Sequence, residues 1–86
     1  MIDSQWDGAV HPGEILAEDL ADAGVTQSEL ARAIQVPRSR VNAICLGKRR
    51  ITADTALRLA RFFGSSPEYW LNLQNTYNLD RMSREG

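Results

Sequence analysis

Arg38, Ser39, Asn42 and Ala43 stand at positions i, i+1, i+4 and i+5, so a helix that contains them presents all four on one face. The forked guanidinium of Arg38 suits the paired acceptors of guanine in a major groove, and the carboxamide of Asn42 suits the acceptor and donor of adenine. Lys48, Arg49 and Arg50 follow shortly after, three consecutive cations of the kind that neutralise phosphates. Groove-facing polar side chains and adjacent phosphate-seeking charge are the chemistry this sequence offers.

The charge around them is polarised. Residues 30–53 hold six basic side chains (Arg32, Arg38, Arg40, Lys48, Arg49 and Arg50) and no acid, whereas residues 1–29 hold seven acids and neither Lys nor Arg. A formal net charge of −1 conceals this division. A basic stretch on the side of a polar helix face is the electrostatic footprint of a nucleic-acid reader. Six of the acids, Asp3, Asp7, Glu14, Glu18, Asp19 and Asp22, would repel DNA, and are expected on the other side of the molecule. There they form either a solvated face or a docking surface for a basic partner.

Other chemistries lack their groups. The single histidine, His11, stands beside Pro12 at a helix start, and the carboxylate pairs Glu14/Glu18 and Asp19/Asp22 lie on a short exposed helix face with no pocket to share. No Cys/His cluster for a metal and no Gly-rich phosphate loop is present, so neither an enzyme nor a cofactor or small-molecule site is expected. The one cysteine, Cys45, reads as a small buried hydrophobe. No apolar run approaches a membrane span and no signal-peptide pattern opens the chain, which leads to the expectation of a cytoplasmic protein without a membrane partner.

The elements that must position these residues are legible in caps and periodicity. Thr26 with Glu29 three residues on forms a capping box, so a helix starts at Gln27 and buries Leu30 and Ile34. Gln35 and Val36 make a turn, Pro37 suits the first position of the next helix, and Val41 and Ile44 form its buried seam. Gly47 then provides a left-handed stop. Upstream, His11-Pro12-Gly13-Glu14 opens a helix carrying Ile15, Leu16 and Leu20 that ends near Gly24. Downstream, Thr52 caps a helix with Leu57, Leu59, Ala60, Phe62 and Phe63 up to Gly64, and Ser66-Pro67-Glu68 begins a last one with Trp70, Leu71 and Leu73.

The resulting expectation is an all-α, compact five-helix domain over residues 11–74. An N-terminal arm at 1–10, pinned by Trp6, would precede it, and a fraying polar tail at 75–86 would follow. One reading helix covers only a few base pairs, which calls for two copies on half-sites about one helical turn apart. Trp70, Leu71, Leu73 and Tyr77 of the last helix are the candidate contact between those copies, with ordinary core packing the alternative reading for Trp70 above all and for Tyr77.

Thr26-Gln27-Ser28-Glu29-Leu30-Ala31, the Val41/Ile44 seam and Gly47-Lys48 resemble the Cro/repressor-type helix-turn-helix, which is a lambda-repressor-like fold. More narrowly, His11-Pro12-Gly13-Glu14, Pro37-Arg38-Ser39-Arg40, the run Ile51 to Ala60 and the run Ser66 to Gln74 are similar to the HigA/VapI antitoxins. The resemblance implies a homodimeric repressor of a palindromic operator that also neutralises a HigB-type ribosome-dependent mRNA endoribonuclease. Carried over by position, it implies that Arg38, Ser39, Asn42 and Ala43 face base edges and that Gln27 contacts a phosphate or buttresses the reading helix. Arg40, Lys48 and Arg49 would lie near the DNA backbone, and Arg50 would either join them or pack its stem toward the next helix. Two positions depart from the wider superfamily. Gln35 stands where Gly is frequent, so the turn is either less tight or bears the cost of left-handed backbone, and Pro37 replaces a Ser or Thr cap. A stand-alone regulator with the same fold and no toxin is the alternative, and a helical protein-binding module without DNA binding a third.

Overall fold

The computed structural model describes residues 9–85. Asp3, Trp6, Asp7 and most of the expected N-terminal arm lie outside them. Helices α1 (Pro12–Ala23), α2 (Gln27–Ile34), α3 (Arg38–Cys45), α4 (Ala53–Phe63) and α5 (Pro67–Glu85) account for the regular structure.

Four of the five begin on a side-chain acceptor that relieves the unpaired amides of a first turn. His11 Nδ1 accepts the Gly13 amide at 2.9 Å in α1. Thr26 and Glu29 exchange both bonds of the capping box in α2, at 3.1 and 2.8 Å. The Thr26 amide, donating to the Glu29 carboxylate, holds that carboxyl below the usual range. Thr52 accepts from the Thr55 amide in α4, and Ser66 from the Tyr69 amide at the start of α5. Only α3 lacks such a cap. Its N-cap is Pro37, one position earlier than the spacing suggests, with extended backbone at φ −62° and ψ 142°. Pro restricts φ and its ring disfavours α backbone in the residue before, so it fits the cap as well as the first turn.

Between α2 and α3 the chain turns through Gln35, whose φ of 61° is the only positive value at a non-glycine among the described residues. The Val36 amide donates to the Ala31 carbonyl and the Gln35 amide to Arg32, a Schellman closure built on a residue that bears a Cβ. The left-handed conformation costs Gln35 roughly 1–2 kcal/mol.

The core joins residues from every helix: Leu16 and Leu20 of α1, Leu30, Ala31 and Ile34 of α2, Val41 and Ile44 of α3, Ala56 and Leu59 of α4, and Trp70 of α5, with Ile51 from the loop before α4. Trp70 is its largest member at 1% exposure, flanked by the rings of Phe63 and Tyr69. Its indole Nε1 finds no hydrogen-bond partner. Trp70 is therefore core and cannot serve as the intermolecular contact suggested for it.

On α4 the inward stripe runs through Thr55, Ala56, Leu59 and Ala60, and Leu57 and Phe62 are exposed. One further expectation is corrected: residues 75–85 do not fray but continue α5 to Glu85. Side chains one turn apart stabilise that stretch: Gln74 to Asn78 at 3.0 Å, Arg81 to the Tyr77 hydroxyl at 2.9 Å and Arg84 to Asp80 at 3.1 Å. Neither Gly nor Pro interrupts it before Gly86.

Candidate nucleic-acid interface

Helix α3 buries Val41 and Ile44 and leaves Arg38, Ser39 and Asn42 exposed, with Ala43 half-buried beside them. The i, i+1, i+4, i+5 pattern thus lies outward as its spacing requires. The N-terminus of α3 has no side-chain cap and no acid in its first turn, which instead contains Arg38 and Arg40. Cations at the positive end of a helix oppose its dipole and weaken an isolated helix by a few tenths of a kcal/mol. The arrangement makes sense as a surface awaiting an anion, since free amides and two guanidinium groups point the same electrostatic sign outward.

What holds so weak a helix in place is packing from behind. Gly13 of α1 sits so close to α3 that a Cβ built on it would stand 1.7 Å from the Ile44 carbonyl oxygen and 3.1 Å from Cys45 Cα. Only a hydrogen fits there, and α1 is locked on the C-terminal half of α3. From the other side Arg58 of α4 reaches the turn. Its Nη1 donates to the Ile34 carbonyl at 2.7 Å, satisfying an orphan acceptor at the end of α2, while its Nε is held by Asp54 at 3.0 Å. That guanidinium ties α4 to the end of α2, just before the turn that leads into α3.

Helix α3 ends in a second Schellman closure, the Lys48 amide donating to Ala43 and the Gly47 amide to Ile44, both at 2.9 Å. Gly47 takes the left-handed φ of 76° that this closure needs. Lys48, Arg49 and Arg50 follow it, all exposed. Arg50 lines an open cleft with Tyr77, Asn78, Arg81 and Met82 and so leans toward α5, not toward the following helix. Gln27, at the first position of α2, is half-buried, as is Arg40. Burial pushes the Cys45 thiol up, away from thiolate chemistry.

The acids Glu14, Glu18 and Asp22 are exposed on α1 and Asp19 is half-buried. Because Pro12, Gly13, Leu16 and Leu20 turn α1 toward the core, these acids occupy its opposite side. On α5, Leu71, Leu73 and Tyr77 are half-buried. The largest apolar exposure on that helix belongs instead to Leu79 and Met82, one turn apart at 68% and 69%. Sequence reading passed over three residues that matter to this geometry. Gly13 stood only within a helix start, Arg58 only within the run Ile51 to Ala60, and Gln74, 4% exposed, only as the end of the run from Ser66. Gln74 could have been found, since it falls four positions after Trp70 on the inward face of α5.

Two short helices packed on each other and joined by a tight turn, the second exposing polar side chains beside a basic loop, define a helix-turn-helix protein. Residues 16–70 match the helix-turn-helix family, and the chain belongs to it, a family of DNA-binding regulators and not of enzymes. Among its relatives, virulence-associated protein I of Dichelobacter nodosus is 51% identical over 72 residues, spanning 83% of this chain and 67% of that protein. An addiction-module antidote protein of the HigA family from Coxiella burnetii superposes with a TM-score of 0.88 at 49% identity, over 91% of this chain and 86% of that one. The antitoxin HigA of Pseudomonas aeruginosa, solved with the higBA promoter, superposes at 0.86 with 40% identity, over 88% of this chain and 84% of its own. No helix among the described residues is long and apolar enough to cross a membrane.

Proposed function

We propose that this chain is a HigA-type antitoxin, a cytoplasmic protein that binds operator DNA as a homodimer, represses its own transcription and neutralises a HigB-type mRNA endoribonuclease. The observation that carries the DNA part is the exposed Arg38–Ser39–Asn42–Ala43 face beside an uncapped helix start and the Lys48–Arg50 loop. In this reading Arg38 and Asn42 read bases with Ser39 and Ala43 alongside, and Gln27, Arg40, Lys48 and Arg49 meet phosphates, with Arg50 near them. The second copy packs on α5, through Leu71, Leu73 and Tyr77 and the more exposed Leu79 and Met82.

The toxin part draws support from charge. An RNA-cleaving toxin is basic where it grips its substrate, and Glu14, Glu18, Asp19 and Asp22 give α1 a complementary face without Lys or Arg. Asp3 and Asp7 extend the same acidic stretch in sequence. DNA on α3 and toxin on α1 would not compete.

Binding to a duplex selected from a random pool by the protein itself tests the first part. Arg38→Ala should lose about 1–3 kcal/mol on the selected duplex and relax preference at one position per half-site. An equal loss on selected and random DNA would make Arg38 a phosphate contact and remove it from base reading. For the second part, Glu18→Lys/Asp22→Lys is mixed with the HigB-type protein encoded beside this reading frame. Association that matches wild type in rate and salt dependence would put the toxin elsewhere, and the lack of any such neighbouring frame would favour the stand-alone regulator.

A further inference from the structure

The loop carrying Lys48, Arg49 and Arg50 has little to hold it from within. Beyond the two bonds that close α3, its conformation depends on contacts from elements distant in sequence. At its far end the Ile51 amide donates to Gln74 Oε1 of α5 at 2.7 Å, a buried bond across twenty-three positions. The Gln74 carboxamide is oriented in turn, its Nε2 donating to Asn78 Oδ1 at 3.0 Å. At its near end Gly47 rests on the imidazole of His11, the site of a Cβ lying 3.7 Å from His11 Cγ and 3.8 Å from Cδ2. That ring stands edge-on to Tyr77 with centroids 4.8 Å apart. Gln74 and Tyr77 are three positions apart and therefore on one face of α5. One helix face thus braces both ends of the basic loop.

We propose that Gln74 and Tyr77 are positioning residues for DNA binding: they hold Lys48 and Arg49 in the arrangement that meets the phosphates, so that α5 sets the sequence-independent part of the affinity. The proposal rests on the reading of Lys48 and Arg49 as phosphate contacts. Three adjacent cations repel one another, and a free loop would spread them over many conformations that must be ordered on binding. A loop already pinned has that ordering done. Gln74 is well suited to the task because its amide is buried and fully engaged, and loss of its acceptor would leave the Ile51 amide buried and unpaired. Arg38 and Asn42, held through α1, α2 and α4, do not depend on this brace.

That division gives a signature a merely structural role would not produce. Gln74→Met keeps the side-chain length without the acceptor, and Tyr77→Ala removes the ring behind His11. Each full-length variant is titrated with its selected duplex and with random duplex across a salt series, at a temperature where circular dichroism reports it folded and light scattering reports the wild-type assembly state, since Tyr77 also stands in the proposed contact between copies. The expected result is about tenfold weaker binding to both duplexes, an unchanged ratio between them, and a plot of log affinity against log salt flatter by about one unit. Hydrogen exchange at residues 48–51 should quicken while α2 and α3 amides keep wild-type protection. Should Gln74→Met not fold, Asn78→Ala frees the same carboxamide from a half-buried site and should show the same pattern at smaller size. Lys48→Ala/Arg49→Ala is run in parallel. If its salt slope equals wild type, the phosphate reading fails and the proposal with it. If its slope flattens while Gln74→Met and Tyr77→Ala bind as wild type, or lose selected and random binding unequally, the brace alone is overturned.

Discussion

Replacing Gly13 with alanine tests the α1–α3 contact on which the reading helix depends. The backbone at Gly13 is helical, so alanine introduces no dihedral strain and by intrinsic propensity would favour α1 by up to about 1 kcal/mol. Against this stands the Cβ position 1.7 Å from the Ile44 carbonyl oxygen and 2.7 Å from its carbon. Contacts under 3.0 Å do not persist, and these atoms are helical backbone, which has no rotamer to change. The two helices must part by more than about 1 Å, opening the core that Leu16 and Ile44 share. Overpacking of this kind costs about 1–3 kcal/mol where side chains can yield, and more where they cannot. A net loss of about 3 kcal/mol corresponds to a fall in Tm of roughly 12–24 °C in a domain this small. Gly24→Ala is the control, because its Cβ would meet nothing within 4 Å and its cost is purely the left-handed φ of 69°, about 1–2 kcal/mol. Urea denaturation of both proteins with a common m-value gives the comparison. Equal or smaller destabilisation by Gly13→Ala would refute the argument that α1 is locked on α3.

Arg58→Ala should cost about 1 kcal/mol in the same assay, discounted for its partial exposure, and Arg58→Lys should not rescue it, because an ammonium cannot serve Ile34 and Asp54 in one plane. His11 gives a pH dependence of definite sign. Burial pushes its pKa below 6.5, with Glu14 opposing, so the folded protein binds fewer protons than the unfolded chain. Its contribution is complete above pH 6.5 and is lost as pH falls below that value through the lowered folded pKa. Thermal melts should therefore decline across this window in wild type and stay flatter in His11→Asn, which can cap α1 without titrating; parallel curves would exclude His11 as the source. Finally, Leu79→Lys/Met82→Lys should convert a dimer to a monomer by light scattering with the melting curve little changed, and a wild-type monomer at high concentration would end the α5 dimer reading.

What the sequence made legible was what local physics decides. Thr26 with Glu29, the apolar pairs Leu30/Ile34 and Val41/Ile44, and the stops at Gly24, Gly47 and Gly64 all encode their structure within a turn or two of themselves, and five helices follow from them. Even the cost at Gln35 could be anticipated, because a tight turn needs a left-handed residue whatever side chain it carries. The errors arose where one local signal has two readings. Pro37 fits both a cap and a first turn, and the polar run after Asn75 reads as a fraying tail until its partners one turn apart are counted. Trp70 reads both as core and as a contact between copies, and its 1% exposure decides for the core. Tertiary pairings left almost no local trace. Gly13 against Ile44, Arg58 on Ile34 and Gln74 on Ile51 join positions 23 to 31 apart, and each decides how elements pack, not the existence of any helix. The exposed face on α3 was readable because it is a property of one helix. What holds that face and the loop after it lies in other helices: a single hydrogen at Gly13 admits α1 against α3, a guanidinium ties α4 to the end of α2, and a buried carboxamide of α5 holds the end of the basic loop.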